Sequence, residues 1–159
     1  MDFDAKKFKV LRVARIRSID DRDYYLCGIT LHRVDVEKDL GILVSHNLSW
    51  NNHVDFISSK AQKILNVLGR TCKDINDIRT KKLLYIAWVH SRLEYPSVVC
   101  SPHTKQNINN LEQVQRRVTR FILGRDYSEY ERLSKLNLLS LEYRREITIW
   151  FSLLSVYVN

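Results

Sequence analysis

Apolar residues recur at three- and four-residue steps along most of the chain after residue 50, which is the spacing of one face of an α-helix. The first such stripe predicts a helix that Gly69 ends. Its apolar members are Val54, Ile57, Ala61, Ile64, Leu65 and Leu68. Lys60 and Lys63 fall away from the stripe, so we expect both side chains on the solvent side of this helix.

A second helix is predicted from Ile78 to about Leu93, because Asn76 or Asp77 can cap its first turn. The middle of this helix, residues 83–89, is apolar on every side. A helix that is apolar all round is normally buried. We therefore expect residues 83–89 to form the buried centre of the helical part.

The stretch from Leu111 to Arg125 predicts a third helix with one apolar and one cationic side, and the rest of the chain is organised around it. The apolar stripe consists of Leu111, Val114, Val118, Phe121 and Ile122. The cationic flank consists of Arg116, Arg117 and Arg120. Gly124 follows the last apolar residue, where a left-handed C-terminal cap favours glycine.

Two further helices follow. Ser128 and Glu131 have capping-box spacing and predict a short helix, and Ser140 with Glu142 predicts a last helix over residues 141–158. The last helix is nearly apolar on all sides, so it should need cover on more than one side. We therefore expect the chain to be a fragment of something larger.

The first 45 residues predict three or four short strands instead. Residues 8–16 read as one strand, residues 24–31 as a hairpin with Gly28 near its bend, and residues 39–44 as another strand. Gly41 inside that last strand indicates the close approach of a backbone or a ligand. The predicted fold class is mainly α, a helical bundle preceded by a small antiparallel β segment.

Length and charge narrow the possible functions. The 159 residues suffice for one ordinary domain, or a small domain with an appendage. Residues 1–50 hold nine basic and eight acidic side chains, whereas residues 51–159 hold 17 and ten. The basic excess therefore lies in the helical part and suits a polyanion such as nucleic acid, although many solvated helical domains are basic as well.

Cysteine usage and hydropathy bear on the compartment. The three cysteines are scattered and odd in number, which favours a reducing environment and predicts an intracellular protein of the nucleus or cytoplasm. Charged residues interrupt any apolar run near the N-terminus, so no signal peptide is predicted. The longest apolar-rich stretch, residues 147–158, is shorter than the roughly 20 residues that span a bilayer, so we expect no membrane contact.

Catalytic motifs are scarce. The sequence has no glycine-rich phosphate loop, no His-Glu-x-x-His and no Gly-x-Ser-x-Gly. Asp20 and Asp21 are the only acidic pair suited to a divalent metal, but their polar surroundings favour a solvated turn. Cys100 and His103 lack the further ligands of a zinc site. Four aromatic residues could stack on bases, although helical spacing favours the core: Trp50, Tyr85, Trp88 and Tyr95.

Four blocks, in this order, resemble one family. They are Glu37–Val54, which contains Lys-Asp-Leu-Gly; Leu93–Pro102; Leu111–Ile122, which contains Val-Gln-Arg-Arg; and Leu136–Arg145. Together they resemble the reverse transcriptase of non-LTR, LINE-type, jockey-like retrotransposons, downstream of the catalytic centre. The resemblance covers essentially the whole chain.

The resemblance implies an end of the palm in residues 1–48, and thumb and post-thumb helices in residues 49–159. Leu40 and Gly41 would lie near the primer terminus, in an element similar to the primer-grip strand. The basic helices would hold the template–product duplex through Lys60, Lys63, Arg116, Arg117 and Arg120. The implied partners are RNA and DNA, above all an RNA–DNA duplex, and the missing palm and fingers of the same polyprotein.

The family's catalytic centre is an aromatic-Ala-Asp-Asp hairpin whose carboxylates bind two Mg²⁺ ions. This chain lacks that hairpin, so we expect it to hold no catalytic residue and no metal or other cofactor, and not to polymerise alone. The family usually has Trp at the position of Cys100, and Cys is common at the position of Phe8. The alternative from another class is a non-enzymatic helical protein-interaction module with a solvated basic face.

Overall fold

The protein is mainly α-helical, as predicted, with short strands confined to its N-terminal part. The computed structural model describes residues 8–13, 22–95, 97 and 99–157. Asp20 and Asp21 lie outside the described residues, as do several positions of the first predicted strand. The chain divides into two compact units, residues 1–53 and 54–159. The predicted division at residue 48 rests on the resemblance and stays a prediction.

The described strands of the first unit form three two-stranded pairs. They are β1 (Lys9–Leu11), β2 (Tyr25–Leu26), β3 (Ile29–Thr30), β4 (His32–Val34), β5 (Val36–Asp39) and β6 (Ile42–Ser45). β2 pairs with β3 and β5 with β6, both antiparallel as predicted, whereas β1 and β4 pair in parallel. Parallel pairing requires a long connection, which residues 12–31 supply.

Leu40 and Gly41 form the two-residue turn between β5 and β6, because Asp39 is paired with Ile42. The backbone φ angles are 45° at Leu40 and 87° at Gly41. Two consecutive positive φ values match the twist of a tight hairpin, and glycine adopts them at little cost. The prediction of one strand through residues 39–44 was therefore wrong, because a turn interrupts it. Gly41 supplies one of the two positive φ angles of that turn.

The hairpin is tied to the start of the first helix, α1 (Asn51–Thr71). The backbone N–H of Leu43 donates to Nδ1 of His53 at 3.2 Å, and Nδ2 of Asn52 donates to Oγ of Ser45 at 3.1 Å. Both bonds lie within the first unit and join the β5–β6 hairpin to Asn52 and His53.

The predicted apolar stripe of α1 is confirmed at its core, but its predicted end is not. The buried members are Val54, Ile57, Ala61 and Leu65. The helix runs through Gly69 and ends at Thr71, so the prediction that Gly69 ends it was wrong. Glycine lowers helix stability by only about 1 kcal/mol, which the buried stripe outweighs.

Asp77, one of the two predicted candidates, caps the second helix. Its carboxylate accepts from the N–H groups of Arg79 and Thr80 at the start of α2 (Ile78–Leu84). The helix continues as a π-helical segment (Tyr85–His90) and ends as α3 (Ser91–Glu94).

The predicted burial of residues 83–89 was wrong for most of them. Tyr85 and Val89 are buried, but Leu83, Ile86 and Trp88 are exposed. An apolar pattern on all sides gives no information on which side a neighbouring helix will cover. Here only one side is covered.

The remaining helices follow the predicted signals. They are α4 (Lys105–Leu123), α5 (Glu129–Lys135) and α6 (Leu141–Tyr157). Ser128 and Glu131 form the predicted capping box of α5. Gly124 ends α4 with a φ of 87° and a ψ of −167°, so its φ is positive, but its conformation is not the left-handed helical one that was predicted. Ser140 accepts from the N–H of Tyr143 at the start of α6.

α4 is the central helix of the second unit, in contact with α2, α5 and α6. Leu111, Val114, Val118 and Ile122 of its predicted stripe are buried. Within the described residues, no helix combines the length and the apolar character needed to cross a membrane.

Candidate nucleic-acid interface

The three arginines of α4 point in different directions. Successive residues of an α-helix are rotated by about 100°, so Arg116 and Arg117 occupy opposite edges of the exposed side and Arg120 lies between them. Arg117 and Arg120 are exposed, whereas Arg116 is half-buried. The two edges contact different helices.

Arg116 has an acidic partner within the molecule. Its Nε lies 2.7 Å from Oε1 of Glu129 in the first turn of α5. Both side chains are more than one-third exposed, so the pair contributes at most about 1 kcal/mol to stability. Its positive charge is nevertheless compensated locally, which makes Arg116 the least available of the three arginines for a phosphate.

Arg117 lies at the edge that faces α1. Its Nη1 donates to Oε1 of Gln62 at 3.3 Å, and Nδ2 of Asn110 donates to Oδ1 of Asp55 at 3.3 Å. From the first bond to the second, the bonded residue moves seven positions toward the C-terminus in each helix, from 55 to 62 in α1 and from 110 to 117 in α4. The two helices therefore run in the same direction. Because Gln62 is neutral, Arg117 keeps an uncompensated charge in this contact.

Lys63 and Lys60 differ in their placement on α1. Lys63 lies about 100° around the helix from Gln62, and Lys60 about 160° from it, almost on the opposite side. Both are exposed, and Lys60 Nζ lies 4.4 Å from the ring centroid of Phe56. Lys63 therefore points to solvent and also lines the groove toward Trp88, whereas Lys60 lies farther around the helix from Gln62.

Lys63, Arg117 and Arg120, which we call the basic triad, lie at nearly the same height along the two parallel helices. In both bonds the residue of α4 is 55 positions after its partner in α1, so Lys63 is level with Val118 along the helix axes. The triad therefore spans about 4.5 Å along the helix axes. All three side chains are exposed, so the triad presents cations of both helices to solvent at about the same height.

Lys81 adds a cation near the end of α4 that the sequence alone did not indicate. Its Nζ lies 5.1 Å from the ring centroid of Phe121. Lys81 belongs to α2, and only the packing of α2 on α4 brings it there. No spacing rule along the sequence could have grouped it with the arginines.

Leu40 and Gly41 belong to the first compact unit, and the basic residues of the predicted site belong to the second. Leu40 is 82% exposed at the tip of the β5–β6 hairpin. Its role at a primer terminus stays a prediction.

The four aromatic candidates divide between core and surface. Tyr85 is buried in the core, and Trp50 is half-buried with its ring edge-on to His53 at 6.5 Å. Trp88 and Tyr95 are exposed. Stacking on a base requires an exposed ring, which Tyr85 does not have.

Cys100 and His103 do not form a reactive pair. Cys100 is fully buried, and burial raises the pKa of its thiol to about 11, while His103 is exposed. A thiol that stays protonated at neutral pH is a poor nucleophile and a poor metal ligand. In the part of the chain that the structure describes, no group of three or more His, Cys, Asp and Glu side chains could hold a metal ion.

The geometry describes an exposed cationic area on two parallel helices, suited to a polyanion. Comparison with protein-family models, curated proteins and solved structures finds no match to this chain.

Proposed function

We propose that the chain is the palm-end and thumb portion of a retrotransposon reverse transcriptase and holds the template–product duplex by its phosphates. The order of the four sequence blocks supports this proposal. The observation that carries it is the basic triad, three exposed cations at one height on parallel helices. Phosphate contacts of this kind are independent of base sequence, as a polymerase that copies any template requires.

The triad is suited to phosphate contact for two physical reasons. Arg117 and Arg120 present guanidinium forks, which match phosphate oxygens in a bidentate manner, and Lys63 adds a point charge. None of the three has an acidic partner within salt-bridge distance among the described residues. Binding would therefore release counterions from the duplex without first breaking an internal ion pair.

The proposal is tested by the salt dependence of RNA–DNA hybrid binding. The affinity of the wild type and of Arg117→Ala and Arg120→Ala is measured by fluorescence anisotropy between about 50 and 200 mM salt. Each substitution should weaken binding about equally for unrelated sequences and reduce the slope of log K against log salt by roughly 0.7–0.9. Arg92→Ala, at an exposed arginine of α3, is the matched control.

Arg116→Ala separates phosphate binding from structural ion pairing. If Arg116 mainly pairs with Glu129, its removal should lower the melting temperature slightly and leave the salt slope unchanged. An unchanged slope in the Arg116→Ala/Arg117→Ala/Arg120→Ala variant, with the helical circular dichroism intact, would exclude the phosphate proposal.

A second candidate is the protein-interaction module, which a specific surface favours. A groove of about 450 Å³ between α1 and the segment from α2 to Trp88 is lined mainly by apolar side chains, among them Ile64, Val67 and Leu68. Exposed apolar grooves often mark protein contacts. Binding to a protein through this groove would survive salt concentrations that release nucleic acid, and Trp88→Ala would weaken it while sparing hybrid affinity.

A further inference from the structure

A small polar crevice of about 190 Å³ lies along the contact between α1 and α4. All of its lining residues are polar: Asp55, Ser58, Ser59 and Gln62 of α1, and Asn110 and Gln113 of α4. Small-molecule sites in proteins usually measure about 300–1,000 Å³. The crevice is therefore too small for a free ligand of ordinary size, and it suits a group that projects from a larger molecule.

The crevice and the basic triad share one side of the helix pair. Gln113 and Arg120 are seven residues apart in α4, so they lie on the same side of that helix, two turns apart. Arg117 lies one turn, about 6 Å, beyond Gln113 on this side. The residues of both hydrogen bonds between α1 and α4 border the crevice, and Arg117 of the triad makes one of these bonds. A strand that lies along the helix pair on the triad therefore also passes over the crevice.

The charge of the crevice is opposite to that of the triad. Asp55 is the one charged residue of its described lining, and its side chain is exposed. A carboxylate repels phosphate, whereas the neighbouring cations attract it. Sugars and phosphates alternate along a nucleic-acid strand, so a strand whose phosphates contact the triad can place a neutral sugar at the crevice.

The crevice has spare hydrogen-bonding groups. Ser59 and Gln113 are exposed, and neither side chain has a hydrogen-bond partner among the described residues. Gln62 accepts one bond through Oε1, which leaves the two donors of its amide. Asp55 accepts one bond from Asn110, and a carboxylate can accept more. Donors and acceptors therefore lie together in a space that a ligand can reach from solvent.

We propose that the crevice holds a 2′-hydroxyl group of an RNA strand, so that the helix pair distinguishes an RNA–DNA hybrid from a DNA duplex of the same sequence. The 2′-hydroxyl both donates and accepts hydrogen bonds, and it is the group by which a protein tells RNA from DNA. Asp55 accepts from this hydroxyl, and the amide of Gln113 donates to it. The inference rests on the function proposed above and adds to it, because phosphate contacts alone carry no such information.

The test compares three duplexes of one sequence by fluorescence anisotropy with the full chain: an RNA–DNA hybrid, the same hybrid with 2′-fluoro groups in its RNA strand, and the DNA duplex. The 2′-fluoro strand keeps the sugar conformation of RNA but cannot donate a hydrogen bond, so it separates recognition of the hydroxyl from recognition of duplex shape. The hybrid should bind about three- to tenfold more tightly than the fluorinated hybrid, as the loss of a hydrogen bond predicts. The DNA duplex should bind no more tightly than the fluorinated hybrid.

A double variant locates the recognition. Asp55→Ala/Gln113→Met removes both proposed partners of the hydroxyl at exposed positions, so the ratio of the two hybrid affinities should fall to about one. The ratio is the readout because loss of the Asp55 charge also changes the affinity for any duplex. Asp74→Ala/Gln106→Met changes the same residue types at exposed positions outside the crevice, and this matched control should keep the wild-type ratio.

The outcomes separate this inference from the function on which it rests. Arg120→Ala should weaken binding to all three duplexes by the same factor and leave the ratio unchanged. Equal binding of the two hybrids by the wild type, with the salt dependence of phosphate contacts, would overturn the 2′-hydroxyl site and leave the proposed function standing. Absence of binding to every duplex would overturn both. The wild-type comparison needs no variant to fold, and an unchanged ratio in a double variant with a helical circular dichroism spectrum would also overturn the site.

Discussion

At the residue scale, neighbouring cationic side chains of α4 have unrelated partners. Arg116 and Arg117 are adjacent in sequence, yet one pairs with Glu129 on α5 and the other bonds to Gln62 on α1. The partners lie 13 and 55 residues away, so only the packing of the helices assigns them. The turn at Gly41 was misread for a related reason, since a short strand and a tight hairpin share the same apolar residues.

Glu112 supports a prediction at this scale. The side chain is 7% exposed, and burial raises its pKa more than the N–H groups of Glu142 and Leu141 lower it. A group whose folded pKa is raised stabilises the fold below its unfolded pKa of about 4.3, and this contribution is lost as the pH rises through the folded pKa. Glu112→Gln keeps an acceptor oxygen but cannot ionise.

We therefore expect the free energy of unfolding of Glu112→Gln, relative to wild type, to increase as the pH rises from about 4 to 7. Urea denaturation across this range measures it. Glu94→Gln is the comparison with opposite sign: burial raises the pKa of Glu94, but His90 and Arg144 together lower it further. Its relative stability should fall with rising pH, and parallel profiles for the two variants would contradict this account.

At the scale of the secondary-structure elements, local signals predicted how helices begin better than how they continue. Asp77 and Ser128 cap helices through hydrogen bonds to residues two and three positions ahead, so the sequence contains all the information. The burial of residues 83–89 depends instead on neighbours far along the chain. Trp88 is exposed for that reason, although its sequence surroundings are as apolar as those of Val89.

Two glycines on α1 and α4 give a prediction for these elements. Gly69 lies inside α1, and a Cβ added there would meet no atom within 4 Å, so Gly69→Ala should stabilise the protein by about 0.5–1 kcal/mol. Gly124 has a φ of 87° at the end of α4, where alanine is strained, and Gly124→Ala should destabilise it by about 1 kcal/mol. Urea denaturation of both variants checks the opposite signs, and shifts in the same direction would contradict these helix boundaries.

At the scale of the whole molecule, α6 departs most from an ordinary surface helix. Trp150 and Phe151 are 67% and 69% exposed, and Leu153 and Leu154 are also exposed. Residues 147–157 contain no charged side chain. The sequence predicted that this helix needs cover, and in the structure these four apolar side chains are exposed.

We expect the isolated chain to self-associate through α6 because exposed apolar area of this kind favours association. The double variant Trp150→Glu/Leu154→Lys keeps helix propensity through an i, i+4 ion pair and should shift the protein toward the monomer. Sedimentation velocity measures the shift. Tyr130→Glu, at an exposed aromatic residue of α5, is the control and should have no effect. A monodisperse wild-type monomer with a cooperative melt would contradict the prediction.

The parallel arrangement of α1 and α4 has a consequence for how the chain is made. Each of the two hydrogen bonds joins residues that are 55 positions apart in the chain, so α1 leaves the ribosome well before α4 exists. At a synthesis rate of about 5–20 residues per second, this delay is about 3–11 s. An α-helix forms within about a microsecond, so α1 can form at once, but its contacts with α4 must wait. During that interval Gln62 and Asp55 have no α4 partner, and a nascent-chain chaperone would encounter α1 before α4 does.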